Sequence, residues 1–256
     1  MPVHGDPMLV VTGLAKSFGG VHAVDSVSLT VPSGSLTGMI GPNGAGKSTV
    51  LSMIAGSVKP DRGSIRLQGE EIGGMRSYRV AHRGVIRTFQ HASVFPQMTV
   101  LENVLLGASP WYGENILSAL ARRRRWRREE RLQIDRGLSL IGRLGLSDHT
   151  NAFAGELSGG QKRLVEIGRA IMARPRLLLL DEPMAGVSRT LAPTIEALIG
   201  ELRQEGMTLL LIEHELGLVE RLCSPVVVLA QGRVLMQGEM DECRVNPEVR
   251  RAYLVG

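Results

Sequence analysis

Residues Gly41-Pro42-Asn43-Gly44-Ala45-Gly46-Lys47-Ser48-Thr49 decide how this chain folds. They follow an apolar run, Leu36 to Ile40, and open a helix-compatible segment, Thr49 to Ala55. A strand, a Gly-rich turn and a helix in succession are the context in which this pattern makes a phosphate-binding loop. The glycines let the backbone curl so that successive N–H groups point inward at phosphate oxygens. The helix N-terminus that follows adds its partial positive charge. Lys47 can then reach the β- and γ-phosphates, and the Ser48 hydroxyl can hold Mg²⁺. A merely solvated turn would not need Gly, Lys and Ser at these fixed positions.

The rest of the composition sets bounds on the class. A chain of 256 residues is long enough for one large α/β core, or a core with a smaller lobe. No apolar run approaches the roughly 18–20 residues needed to span a bilayer. Met1 to Val11 lacks a basic stretch followed by an apolar one, so no signal peptide is expected. Cys223 and Cys243 lie in no metal-ligand pattern and read as small apolar fillers in a reducing compartment. Arg122 to Arg131 holds seven arginines against two glutamates, which accounts for the whole net charge of +5. Basic character is therefore one local patch interrupted by Trp126, and a nucleic-acid partner, which would call for a broad basic stripe, is not expected. The run reads either as a solvated helix face with Glu129 and Glu130 as partners, or as a patch drawn to anionic lipid at about 1 kcal/mol per basic residue.

Residues 8 to 40 alternate apolar and polar positions, as half-buried antiparallel strands do, with Gly19-Gly20 as the turn. Gly63 to Gly69 reads as another short strand. From Ala92 to Leu146 the chain becomes long, Arg- and Leu-rich and poor in β-branched runs, which suggests an inserted helical lobe. Leu177 to Leu180 is a short continuous apolar run typical of a buried strand, Met207 to Ile212 reads as a second buried strand, and Leu191 to Gln204 between them is helix-like. Val226 to Leu229 and Val234 to Met236 flank the turn Gln231-Gly232, and Asp241 to Leu254 closes the chain as a helix. Alternating strands and helices predict a parallel α/β sheet with an antiparallel edge.

The strand Leu177 to Leu180 ends in Asp181-Glu182-Pro183, putting two carboxylates where ligands gather in open parallel sheets. Asp181 is placed to act on the Mg²⁺ shell, and Glu182 to orient or deprotonate an attacking water. Leu157-Ser158-Gly159-Gly160-Gln161 starts a helix-like segment, with Ser158 as N-cap and the glycines leaving backbone N–H groups exposed.

With these motifs the chain resembles, over almost its whole length, the ATPase subunit of an ATP-binding cassette (ABC) transporter. The resemblance implies an α/β P-loop NTPase with a mixed parallel sheet, an antiparallel β edge subdomain and an inserted α-helical lobe. It implies one nucleotide-binding domain over residues 1–256, with a RecA-like core at about 1–91 and 162–256 and a helical subdomain at about 92–161. ATP and Mg²⁺ are the cofactors it implies. Gly41 to Thr49 would hold the phosphates, and Ser158, Gly159, Gly160 and Gln161 would contact ATP held by the other subunit of a head-to-tail dimer. Phe18 stands at the place of the aromatic residue that stacks on adenine. Gln90, in Arg87-Thr88-Phe89-Gln90, stands at that of the glutamine touching Mg²⁺ and the water, and His214 at that of a γ-phosphate sensor. Thus Glu182, His214 and Gln90 are the catalytic set, and Ser48, Gln90 and Asp181 the metal set. One departure is plain: Ser188 replaces the aspartate that couples the two sites across the family's dimer.

Within the family, Phe95-Pro96-Gln97-Met98-Thr99-Val100-Leu101-Glu102-Asn103-Val104, Asp181 to Gly186, the ending from Asn246 to Leu254 and an insertion at Gly107 to Arg131 resemble the branched-chain amino-acid importer subgroup. That likeness implies a homo- or heterodimer of ATPase subunits on the cytoplasmic face of the inner membrane. It also implies transmembrane permease subunits as partners and, indirectly, a solute-binding protein. Uptake of urea or amides and export of lipopolysaccharide are the alternatives within the family. A soluble ABC ATPase would call for two cassettes or a long coiled coil, and neither is present in the sequence.

Overall fold

A computed structural model describes residues 7–88, 93–108 and 123–254. Its strands, in chain order, are β1 (Pro7–Phe18), β2 (Val21–Pro32), β3 (Leu36–Ile40), β4 (Arg62–Leu67), β5 (Glu70–Glu71), β6 (Val85–Arg87), β7 (Leu177–Asp181), β8 (Thr208–Ile212), β9 (Val226–Ala230) and β10 (Arg233–Gly238). Gly19 and Gly20, both at positive φ, join β1 to β2. Two successive positive φ values suit a tight hairpin whose twist matches that of its strands. Leu9, Val11 and Leu14 of β1 and Val24, Val27, Leu29 and Val31 of β2 are buried while most of the positions between them are not. These strands form a four-stranded antiparallel sheet in the order β2-β1-β4-β5.

The second sheet runs β10-β9-β3-β8-β7-β6. Its ladders are parallel from β9 through to β6, and β10 alone is antiparallel. Every residue of β3, β7, β8 and β9 is buried. Burial on both faces explains why these segments are mainly apolar and not alternating, with Thr37, Asp181 and Thr208 as their buried polar residues. Helix α1 (Lys47–Ile54) contributes Val50, Leu51, Met53 and Ile54 to a core shared with both sheets. A short helix, α2 (Ser77–His82), precedes β6; neither was expected from the sequence. Three to six residues are too few for a periodic pattern to declare itself.

Two compact units result, one comprising Met1–Arg87, Arg176–Pro183 and Gly200–Gly256, the other Thr88–Pro175 and Met184–Ile199. The second unit is helical, with α3 (Val100–Leu105), α4 (Arg123–Arg143) and α5 (Gly159–Met172). Gly168 of α5 faces Leu144 and Val104 so closely that a Cβ there would lie 2.7 Å from Leu144 Cδ1. Buried Asn103 accepts a hydrogen bond from the Phe95 N–H at 2.8 Å and donates through Nδ2 to the carbonyls of Phe95 and Met98, tying down the loop before α3. From Arg123 onward the arginine run forms the first turns of α4, where Arg128 and Arg131 are exposed. Most of the expected insertion, residues 109–122, lies outside the described residues. The remaining helices are α6 (Ala192–Gln204), α7 (Leu216–Leu222), α8 (Met240–Val245) and α9 (Pro247–Leu254).

Candidate functional site

Sheet order is what assembles the site. Strands β3, β8 and β7 are consecutive neighbours and parallel. The segments leaving their C-terminal ends therefore converge: the loop from Gly41, Glu213-His214, and Asp181-Glu182. This is the edge where open α/β sheets bind ligands.

The loop curls as its glycines allow. Gly41, Gly44 and Gly46 all have positive φ. A Cβ on Gly41 would collide with the Leu229 carbonyl oxygen, and one on Gly46 would sit 2.5 Å from that of Ala23. Glycine is thus required here by close backbone approach as well as by φ. We expect Gly41→Ala to displace the loop and cost about 1–3 kcal/mol of stability, read as a fall in the urea midpoint with an unchanged slope. A cleft of about 890 Å³ opens along the loop's outer lip at Asn43 and Gly44, bordered by residues of β2 and of the β9–β10 turn.

Lys47 begins α1 and folds back over the loop, where its Nζ donates to the carbonyls of Gly41 at 2.7 Å and Pro42 at 3.0 Å. Burial pushes its ammonium pKa down, and the nearby carboxylates of Glu182 and Asp181 act against that shift. Asp181, the last residue of β7, is 2% exposed and pairs with Arg87 through Nη2 at 2.7 Å. Nη1 of the same guanidinium donates to Ser52 Oγ at 2.8 Å, and that hydroxyl donates to the Ser48 carbonyl at 2.6 Å.

Glu182 has φ 48°, in the left-handed region that non-glycine residues seldom occupy. Such a backbone costs on the order of 1–3 kcal/mol and collects at functional sites. Its N–H donates to the Ile212 carbonyl, and its Oε1 lies 2.8 Å from His214 Nε2. Phe18, at the end of β1, is 49% exposed, with Lys16 Nζ 5.4 Å from the ring centroid and paired to Asp61 at 2.7 Å. Gln90 lies outside the described residues.

Ser158 to Gln161 belong to the second unit. Ser158 caps α5: its Oγ accepts from the Gln161 N–H, and its own N–H donates to Gln161 Oε1. The Gln161 amide also bonds His149 across 3.0 Å. Gly159 is exposed, with nothing within 4 Å of the place a Cβ would take, whereas a Cβ on Gly160 would meet Leu191 Cδ1 at 2.9 Å. Ser188 Oγ bonds Thr190 Oγ1 at 2.8 Å within its own turn. Arg87, Ser52 and His149 are the contributors that the sequence did not single out. Ser52 stands four residues after Ser48, one helical turn on, and this spacing was the one available signal.

The oxygen donors suit a hard cation. Among the described residues no group of three or more His, Cys, Asp or Glu is gathered to hold a metal alone. A hydroxyl and a carboxylate beside a phosphate cradle match Mg²⁺, which keeps waters and shares its shell with substrate phosphates.

A family model described as ABC transporter matches residues 24–185, and the chain belongs to that family. It is 42% identical over 249 residues to the high-affinity branched-chain amino acid transport ATP-binding protein BraF of Pseudomonas aeruginosa, covering 97% of this chain and 98% of that one. To LivG of Escherichia coli, a protein of the same description, it is 39% identical with the same coverage. Among solved structures it resembles an ATP-binding cassette of an ABC transporter in its ADP conformation, at TM-score 0.83 and 35% identity, over 98% of this chain and 100% of that one. A nucleotide-free cassette gives TM-score 0.81 and 36% identity, over 96% and 98%.

Proposed function

We propose that the chain binds and hydrolyses ATP to drive an importer of branched-chain or other hydrophobic amino acids. The observation that carries the hydrolytic part is the Glu182–His214 pair at 2.8 Å, set at the strand ends that also present Lys47 and Asp181. The solute class is supported by the relatives BraF and LivG, which match over nearly their full length.

In this reading the N–H groups of Gly44 to Thr49 and the Lys47 ammonium hold the β- and γ-phosphates. Ser48 and Asp181, with Gln90, would hold Mg²⁺, and the ion would supply neutralisation of developing phosphate charge. Glu182 orients the attacking water and accepts its proton, and His214 keeps that carboxylate in place while facing the γ-phosphate. Phe18 offers its open ring to adenine, since stacking needs only a π-face. Ser158, Gly159, Gly160 and Gln161 complete the site of a second cassette, so turnover requires a dimer with a copy of this chain or with a related subunit. The helical lobe docks transmembrane permease subunits at the cytoplasmic face of the inner membrane, and a solute-binding protein delivers the amino acid to them. Among the described residues no helix is long and apolar enough to cross a membrane.

Uptake in the native host tests this reading. Deleting the gene is expected to abolish saturable uptake of radiolabelled leucine, isoleucine and valine, with restoration by the wild-type chain and none by Lys47→Ala. Unchanged uptake of all three, with loss of urea or amide uptake instead, would refute the assigned solute class.

A further inference from the structure

Arg87 ends the edge strand β6 in register with Leu179 of β7, yet its side chain reaches two residues further along that neighbour to Asp181. The same guanidinium spans to Ser52 on α1, and the Ser52 hydroxyl donates a hydrogen bond to the Ser48 carbonyl. Three hydrogen bonds of 2.7, 2.8 and 2.6 Å therefore run from the Asp181 carboxylate to the residue carrying the Ser48 hydroxyl. The two ends of this chain of bonds lie on different elements, a strand terminus and a helix N-terminus.

We infer that Arg87 is a positioning residue for the divalent-metal site, fixing the Asp181 carboxylate and the Ser48 turn in one frame. The inference rests on the reading that Ser48 and Asp181 hold the cation. Mg²⁺ demands near-ideal octahedral geometry with oxygens at roughly 2.0–2.1 Å. Two protein oxygens drawn from separate elements must then be held to a fraction of an ångström. A planar guanidinium can hold a carboxylate and a hydroxyl at once through separate N–H groups, whereas a lysine ammonium is a point charge on a flexible stem. Burying a carboxylate merely to join two strands would be a poor structural device, since an apolar pair of similar volume serves as well or better.

The experiment is a Mn²⁺ titration of the full chain with saturating ADP, followed by electron paramagnetic resonance of the free ion, beside an ADP titration without metal. Arg87→Met is expected to raise the Mn²⁺ midpoint about tenfold or more, the usual effect of removing a residue that orients a metal ligand. Metal-free ADP affinity should not change. Ser52→Ala, which leaves both charges in place, is expected to raise the midpoint less but in the same direction, and Arg87→Lys to fall between. These two variants carry the test if Arg87→Met does not fold. A midpoint in the Arg87 variants equal to or below wild type would overturn the inference, because a simple counter-charge competes with the metal and its removal tightens binding. Asp181→Asn separates the two layers of the argument. If it binds Mn²⁺ as wild type does, the metal site itself is misassigned. If it loses Mn²⁺ while the Arg87 and Ser52 variants do not shift, only the role of Arg87 fails.

Discussion

Replacing Glu182 by glutamine is expected to leave ATP bound and to cut its turnover by about 10²–10⁴-fold, the contribution of a well-placed general base. The substitution keeps the shape of the side chain and removes its charge and its capacity to accept a proton. A carboxamide has the same shape and can still bond His214 Nε2, which lies 2.8 Å from Glu182 Oε1. The unusual backbone is no obstacle, because Gln68 and Gln231 already occupy φ 49° in this chain. The variant also removes one negative charge from beside Lys47, whose pKa burial lowers while Glu182 and Asp181 act against that shift. Phosphate affinity should therefore hold or rise. With hydrolysis blocked and ATP retained, the proposed dimer sandwiching two nucleotides would lose its hydrolytic route to opening. Size-exclusion chromatography with ATP and Mg²⁺ should show a stable dimer that ADP does not produce. A monomer at saturating ATP, or turnover within a few fold of wild type, would remove Glu182 from the role assigned to it.

How much of this was readable in advance depends on the length of chain that carries each feature. Strands β3, β7 and β8 announced themselves because burial on both faces leaves them mainly apolar, with Thr37, Asp181 and Thr208 the one polar residue in each. The loop after β3 was legible because phosphate binding needs glycine at places where any Cβ would strike backbone, as at Gly41 and Gly46. The Ser158 cap was legible from residues three apart on one helix start. Arg87 was not, although it stood in a quoted motif. Its partners Asp181 and Ser52 are 94 and 35 residues away, and only the order β7-β6 at the sheet edge brings them to it. His149 escaped for a related reason, since its bond to Gln161 depends on how the turn at residues 147–149 folds back. Asn103 is the converse case. It was quoted only as part of a family-like stretch, and the structure supplies the cause: one buried amide satisfies the backbone of Phe95 and Met98, which no apolar side chain of that size could do.

Replacing Lys47 by alanine should remove nucleotide binding while sparing the fold, and the local energetics show why the two separate. The ammonium bonds two backbone carbonyls and Lys47 is 6% exposed, so the group has already given up most of its hydration. Burial accordingly weighs against the charged form and lowers its pKa. Truncation relieves that desolvation and leaves the Gly41 and Pro42 carbonyls short of a donor, two opposing effects that largely cancel in stability. No such cancellation operates when a triphosphate is bound. The lysine would then exchange two neutral acceptors for anionic oxygens, and hydrogen bonds to charged groups contribute about 1.5–3 kcal/mol each. Losing one to two of them corresponds to a fall in ATP affinity of about 10-fold to 10⁴-fold. Isothermal titration with ATP should record that loss, while thermal unfolding without nucleotide shifts by no more than a few degrees. Lys47→Arg does not restore binding in this view, because a broad guanidinium cannot occupy the pocket that the loop closes around a narrow ammonium. Wild-type affinity in Lys47→Ala would mean that the backbone N–H groups and the helix N-terminus suffice by themselves, and the assignment of Lys47 as the phosphate clamp would be lost.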